Sequence, residues 1–132
     1  IDSPVKGRDA SIHKDALTYL KTLEQIVLEI PVKPYDCSRY SLVELKPKTG
    51  RMHQLRVHTS KISHPLIGDI KYGDKNHDLM FDENFGWKNM FLHAGHLKFK
   101  HPFSEEVLIL KANFPKDWIS LFEEFNWTNP NV

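Results

Sequence analysis

Residues 38–58, SRYSLVELKPKTGRMHQLRVH, read as two elements joined by a turn. From Ser38 to Pro47 apolar and polar residues alternate, the period of a strand with one buried face. Thr49-Gly50 marks the turn that follows. From Met52 the period changes to 3.6. Met52, Leu55, Thr59 and Ile62 then share one helical face, and His53, Arg56 and Ser60 the adjacent one. His64-Pro65 closes the helix. Charge collects at the junction: Lys48–His58 holds two arginines, two histidines and a lysine, and no acidic residue.

Upstream, residues 1–15 read as an irregular arm. ALTYLKTLE (16–24) allows strand or helix, with strand preferred, and IVLEIPV (26–32) is a second β-rich run ended by Pro34. Downstream, LIGDIKYGD is a glycine-punctuated loop or short strand, and DKNHDLMFDENFGWKNM is irregular and partly helical. FLHAGHLKF (91–99) and EEVLILKANF (105–114) alternate well enough to pair across His101-Pro102. PKDWISLFEEF (115–125) is an amphipathic helix with Pro115 near its first turn. The whole is an α+β plan, a mixed and mostly antiparallel sheet with flanking helices.

The 132 residues suffice for one small core. No apolar run is long enough for a transmembrane helix, so no membrane partner is expected. The first residues lack the basic-then-apolar plan of a signal peptide. The chain does not begin with Met, which suits a piece of something longer. The single cysteine, Cys37, excludes an internal disulfide and suits a reducing, cytoplasmic compartment. Net charge is +1, but residues 39–75 carry eight Lys/Arg against three Asp/Glu, a local +5, while 1–38 sum to −1 and 76–132 to −3. A basic middle on a neutral chain suggests a localised anion site.

Eight histidines raise the question of metal. His53 and His58 are five apart and do not stack on one helix face, His93 and His96 fall on opposite faces of a strand, and no cysteine supports them, so no metal is expected. Neither G-x-S-x-G nor a G-K-[ST] phosphate loop occurs. Arg56, beside the apolar helix face, needs a carboxylate or phosphate. A structural ion pair with Asp69 or Glu44 and an anion-binding role both satisfy that need.

KTGRMHQLRVHTSKISHPLIGDIKYG, followed some twenty residues on by FLHAGHLKFKHP, resembles the RluA family of pseudouridine synthases. That family reads T-G-R-x-H-Q-[IL]-R-x-H, then H-P-[IL]-x-G-D, then L-H-A-x-x-L-x-F-x-H-P, and residues 49–102 carry these elements in order. Within it, SRYSLVELKPKTGRMHQLR and residues 73–86 look most like the tRNA pseudouridine synthase C subgroup. The family's aspartate nucleophile, in H-R-L-D-x-x-T-S-G, and its K-x-Y-x-A tyrosine do not occur here. The resemblance therefore implies a single partial domain over residues 1–132, the C-terminal half of the catalytic domain, inactive alone. It implies that Arg56 pairs with the nucleophilic aspartate of the other half. Arg51 and His53, with Lys48 and Lys61 of the basic cluster, would face RNA, Leu92 would line the active-site wall, and Gly68-Asp69 would form a structural turn. It implies a tRNA partner, no metal or organic cofactor, and a half-site surface able to drive self-association. The rival expectation is a non-catalytic RNA-binding or interaction module with the same anion site.

Overall fold

A computed structural model describes residues 1–6, 13–100, 103, 104 and 106–130. The chain divides into two compact units, Ile1–Phe91 and Leu92–Val132.

In the first unit, β3 (Thr18–Leu28) and β4 (Ser38–Pro47) form a long antiparallel ladder, from Thr18 opposite Pro47 to Leu28 opposite Ser38. β4 has the bounds that its alternation implies. β3 corrects the expectation of two runs, 16–24 and 26–32, because it is one strand. Thr22 pairs with Val43 and Glu24 with Leu42, so Leu23 is an extra residue. Such a bulge resets the inside–outside alternation and makes one strand read as two. The irregular arm is also corrected. Short strands β1 (Val5–Lys6) and β2 (His13–Lys14) pair with each other. The Ser3 amide donates to the Ala16 carbonyl (3.1 Å) and the Thr18 amide to that of Ile1 (2.8 Å), so the first residues border the start of β3.

α1 (Gln54–Lys61) follows the glycine turn as expected, but its buried face is not the apolar one. Of the expected face, Met52 and Ile62, just outside α1, are 41% and 40% exposed and Thr59 is buried, and Gln54 and His58, off that face, are buried too. α2 (Lys75–Phe85) is the helical part of the stretch read as irregular and partly helical. The Asp74 carboxylate accepts from the amides of Asn76 and His77 at the N-terminus, and Gly86 takes a left-handed φ of 65° at the C-terminus. α2 joins β4 through Phe81, 2% exposed, which meets Tyr40 edge-on at 4.8 Å and Phe91 at 5.7 Å. Trp87 stacks on Phe91 at 3.7 Å. Burying a ring the size of Phe81 contributes roughly 2–3 kcal/mol, so this cluster anchors the ladder.

In the second unit, β5 (His96–Lys100) pairs antiparallel with β6 (Val107–Lys111). The strands are shorter than expected, since Phe91–Gly95 is not extended in a ladder, and the His101-Pro102 turn lies outside the described residues. α3 (Lys116–Glu124) starts after Pro115 and buries Trp118, Leu121 and Phe122, with Phe125 beyond its end. The fold is α+β. Among the described residues all pairing is antiparallel, in three separate two-stranded ladders rather than one mixed sheet.

Candidate functional site

The stretch Thr49–His58 divides its side chains between two tasks. The first is neutral and closed. The Gln54 amide donates to the Leu17 carbonyl (3.0 Å) and to the Thr18 hydroxyl (2.9 Å), while its oxygen accepts from the Thr49 hydroxyl (2.6 Å) and the Arg51 amide (3.1 Å). Thr18 Oγ1 lies 2.7 Å from His58 Nδ1, and His58 Nε2 lies 2.8 Å from the Ser3 carbonyl. With the proton on Nε2 every link has one donor and one acceptor: Gln54 to Thr18, Thr18 to His58, His58 to Ser3. Gln54 and His58 are four apart and share a face of α1, which is why this face can be buried without apolar residues.

The second task is charged. Arg56 donates from Nε to Asp69 Oδ2 (2.9 Å) and from Nη2 to Asp69 Oδ1 (2.8 Å), a two-point fork. The Asp69 side chain is fully buried and that of Arg56 is 21% exposed. Asp69 Oδ1 also accepts from the amides of Lys71 (3.1 Å) and Tyr72 (3.0 Å). The Arg56 hydrogen bond, with these amides, holds the Asp69 carboxyl below its ordinary range against the opposing effect of burial. The same hydrogen bond pushes the Arg56 guanidinium upward. Arg56 Nη1 has no hydrogen bond to any described residue. The guanidinium carbon is 5.1 Å from the centre of the Tyr72 ring, and the Tyr72 hydroxyl is 3.3 Å from His53 Nδ1.

Two glycines shape the turn that presents Asp69. Gly68 has φ +83°, and a Cβ there would fall 2.0 Å from the Asn89 carbonyl oxygen. Its amide donates to Asp78 Oδ1 of α2 at 2.8 Å. A Cβ on Gly73 would fall 2.2 Å from the Asp69 carbonyl oxygen, to which the Gly73 amide donates. The Gly68-Asp69 turn is therefore tied to α2 and closed on itself.

The cations of the basic middle have different partners in the fold. Arg56 is paired with Asp69, one of the two acidic residues that the sequence offered, whereas Glu44 lies beside Lys46 (3.5 Å). Arg51 precedes α1 by three residues rather than sitting in its first turn, and its Nε holds the Asp15 carbonyl at 2.8 Å. Lys61 Nζ reaches Ser3 Oγ and the Pro4 carbonyl, both at 2.8 Å. Both cations thus fasten the N-terminal arm. Lys48 is exposed, 5.5 Å from the Tyr19 ring centre. His53 is exposed in a left-handed turn, φ 53°, immediately before α1. Leu92, 39% exposed, belongs to the second unit. Sequence reasoning missed Thr49, Gln54 and Tyr72. The four-residue spacing of Gln54 and His58 was the available signal. Among the described residues no three His, Cys, Asp or Glu side chains converge as metal ligands, and no helix is long and apolar enough to cross a membrane.

Residues 1–61 match the family model described as RNA pseudouridylate synthase. The chain resembles that family over those residues. Among its relatives, a protein of Vibrio vulnificus is 40% identical over 114 residues, 86% of this chain and 46% of its own length. One of Salmonella typhi is 38% identical over 121 residues, 92% of this chain and 46% of its own. One of Yersinia pestis is 39% identical over 113 residues, 86% and 44%. All three are named tRNA pseudouridine synthase C. The family match spans β1 to α1, including the buried network and Arg56. The chain spans about half the length of the curated relatives it matches.

Proposed function

We propose that the intact protein converts a specific uridine of tRNA to pseudouridine, and that these 132 residues supply one wall of its active site. The observation that carries this reading is Arg56: a guanidinium gripped along one edge by Asp69, with Nη1 left over, in a chain similar to tRNA pseudouridine synthases. A nucleophilic aspartate from a segment outside these residues would meet that nitrogen. The guanidinium would keep the carboxylate ionised and oriented. The reaction then breaks the C1′–N1 bond of uridine and rejoins the base through C5. The uridine must leave the stack to reach the carboxylate. Exposed Lys48 and His53 face the RNA side in this reading, with Arg51 and Lys61 bracing that surface. No cofactor is required. The exposed thiol of Cys37 suits a reducing cytoplasm.

The test is to map pseudouridine in tRNA from cells lacking the intact protein, and again after its return. Loss of one pseudouridine, restored by the wild type, is expected. An unchanged map would overturn the reading and favour a non-catalytic RNA-binding module. The 132-residue chain by itself is expected to leave tRNA uridines unchanged.

A further inference from the structure

Arg56 has five N–H donors on a planar group, and how they are shared decides what the group can do. Asp69 takes one from Nε and one from Nη2. Its Oδ1 accepts from Nη2, from the Lys71 amide and from the Tyr72 amide, so one carboxylate fixes both the guanidinium plane and the turn carrying Tyr72. Asp69 is itself held on both sides: Gly68 before it donates to Asp78, and the Gly73 amide returns to its carbonyl. Among the described residues, the ionisable groups around the pair are Tyr72 beside Arg56, Lys71 and His53 against the Tyr72 ring, and Asp78 of α2 near Asp69.

A free arginine would grip an incoming carboxylate with two parallel hydrogen bonds. Such a grip suits binding but not nucleophilic attack, since it occupies both oxygens and lowers the basicity of the carboxylate. With Asp69 in place, the Nε–Nη2 edge is already taken. We propose that Asp69 is a positioning residue for the proposed isomerase: it holds Arg56 so that Nη1, not the two-point edge, meets the nucleophilic carboxylate. The proposal rests on the reading above, in which Arg56 meets that nucleophile.

The experiment uses the intact protein and unmodified tRNA, with single-turnover rates measured against pH. Wild-type turnover is established first, and its absence would sink the functional reading, not this one. Asp69→Asn keeps the shape and one oxygen for the Lys71 and Tyr72 amides, but removes the charge and one acceptor of the fork. With tRNA affinity unchanged, turnover should fall by about 10²-fold from the misplaced guanidinium. The acidic limb of the rate profile should move to lower pH, because a freed Arg56 stabilises the ionised nucleophile more strongly. Asp69→Glu, which restores the charge with a displaced fork, should lose rate with the acidic limb unmoved. It also serves as the test if Asp69→Asn does not fold. A folded Asp69→Asn protein with the wild-type rate and profile, or a folded Asp69→Glu protein with the wild-type rate, would overturn the proposal. So would a lower melting temperature with unchanged turnover per folded molecule.

Discussion

The two sides of α1 solve the burial of polar groups in opposite ways. On one side Gln54, His58, Thr18 and Thr49 form a neutral network in which each donor has an acceptor. On the other, Arg56 and Asp69 form an ion pair whose carboxylate is saturated and whose guanidinium is not. A closed network has nothing left to offer a ligand, so its residues are scaffold. A pair whose guanidinium keeps N–H donors unpaired among the described residues, partly open to solvent, is where chemistry can enter. Under the proposed function the stretch Thr49–His58 thus contributes both the framework and the reactive edge, and the difference lies in how the hydrogen bonds are shared rather than in residue type.

The sharpest way to break this distinction is Arg56→Ala in the intact protein. Under the proposed function turnover should fall on the order of 10² to 10⁴, as a positioned charge beside a nucleophile is lost. Stability should fall as well, by about 3 kcal/mol, because the buried Asp69 carboxylate keeps only its two backbone donors. Single-turnover rate and urea midpoint on the same variant check both. A variant that melts lower yet turns over tRNA at the wild-type rate would place Arg56 with the scaffold.

His58→Ala is the mirror experiment. It leaves the Thr18 hydroxyl and the Ser3 carbonyl without their partner in a fully buried site, so stability should drop by about 2–3 kcal/mol. Turnover per folded molecule should stay within about threefold, a change of less than 1 kcal/mol in barrier. Denaturant unfolding with active-site titration separates the two. A loss of rate comparable to that of Arg56→Ala would show that the network is part of the site.

How much of this was legible beforehand follows the same line. Where burial is apolar, periodicity tells: β4 has the bounds that its alternation implies, and α3 presents Trp118, Leu121 and Phe122 as its spacing implies. Where burial is achieved by hydrogen bonds, periodicity misleads: Gln54 and His58 are buried off the expected stripe, whose ends Met52 and Ile62 are exposed. The bulge at Leu23 split β3 for a different reason, since one extra residue inverts the faces of everything after it. α2 was underread although Asp74 and Gly86 bracket it, because it has no strong apolar stripe between its caps. At the site, Asp69 was among the partners that the sequence offered for Arg56, but sequence could not choose it over Glu44. That choice depends on the turn that Gly68 and Gly73 allow.

The charged side should also answer to pH. The folded-state value of Asp69 is depressed, so the pair contributes stability that is fully present above the unfolded carboxylate value, about 4, and is lost as pH falls through the folded value. The Gln54, Thr18 and Thr49 links have no proton to gain in that range. Wild type should therefore exceed Asp69→Asn in urea midpoint at pH 7, and the gap should narrow at pH 3. A gap that stays constant would mean that the pair acts through shape alone.

The smallest expected effect lies one step behind the pair, at Asp78. Burial pushes its carboxyl above the ordinary range, the Gly68 amide opposes this, and the nearby charges of Asp74 and Asp69 add to the rise. The sign is thus opposite to that of Asp69. At neutral pH the ionised form is less comfortable in the folded chain than in the unfolded one, so its charge subtracts from stability. Asp78→Asn keeps an oxygen to accept from Gly68 and removes the charge. It should raise stability by about a few tenths of a kcal/mol at pH 7, within the range of mild polar substitutions. The gain should vanish as pH falls through the folded-state value of Asp78, where wild type becomes neutral too. Thermal melts of both proteins at pH 7 and at pH 3 check it. If Asp78→Asn instead loses stability at both, the carboxylate is needed to hold the Gly68 turn, and the charged side of α1 extends one residue shell further than the Arg56–Asp69 fork.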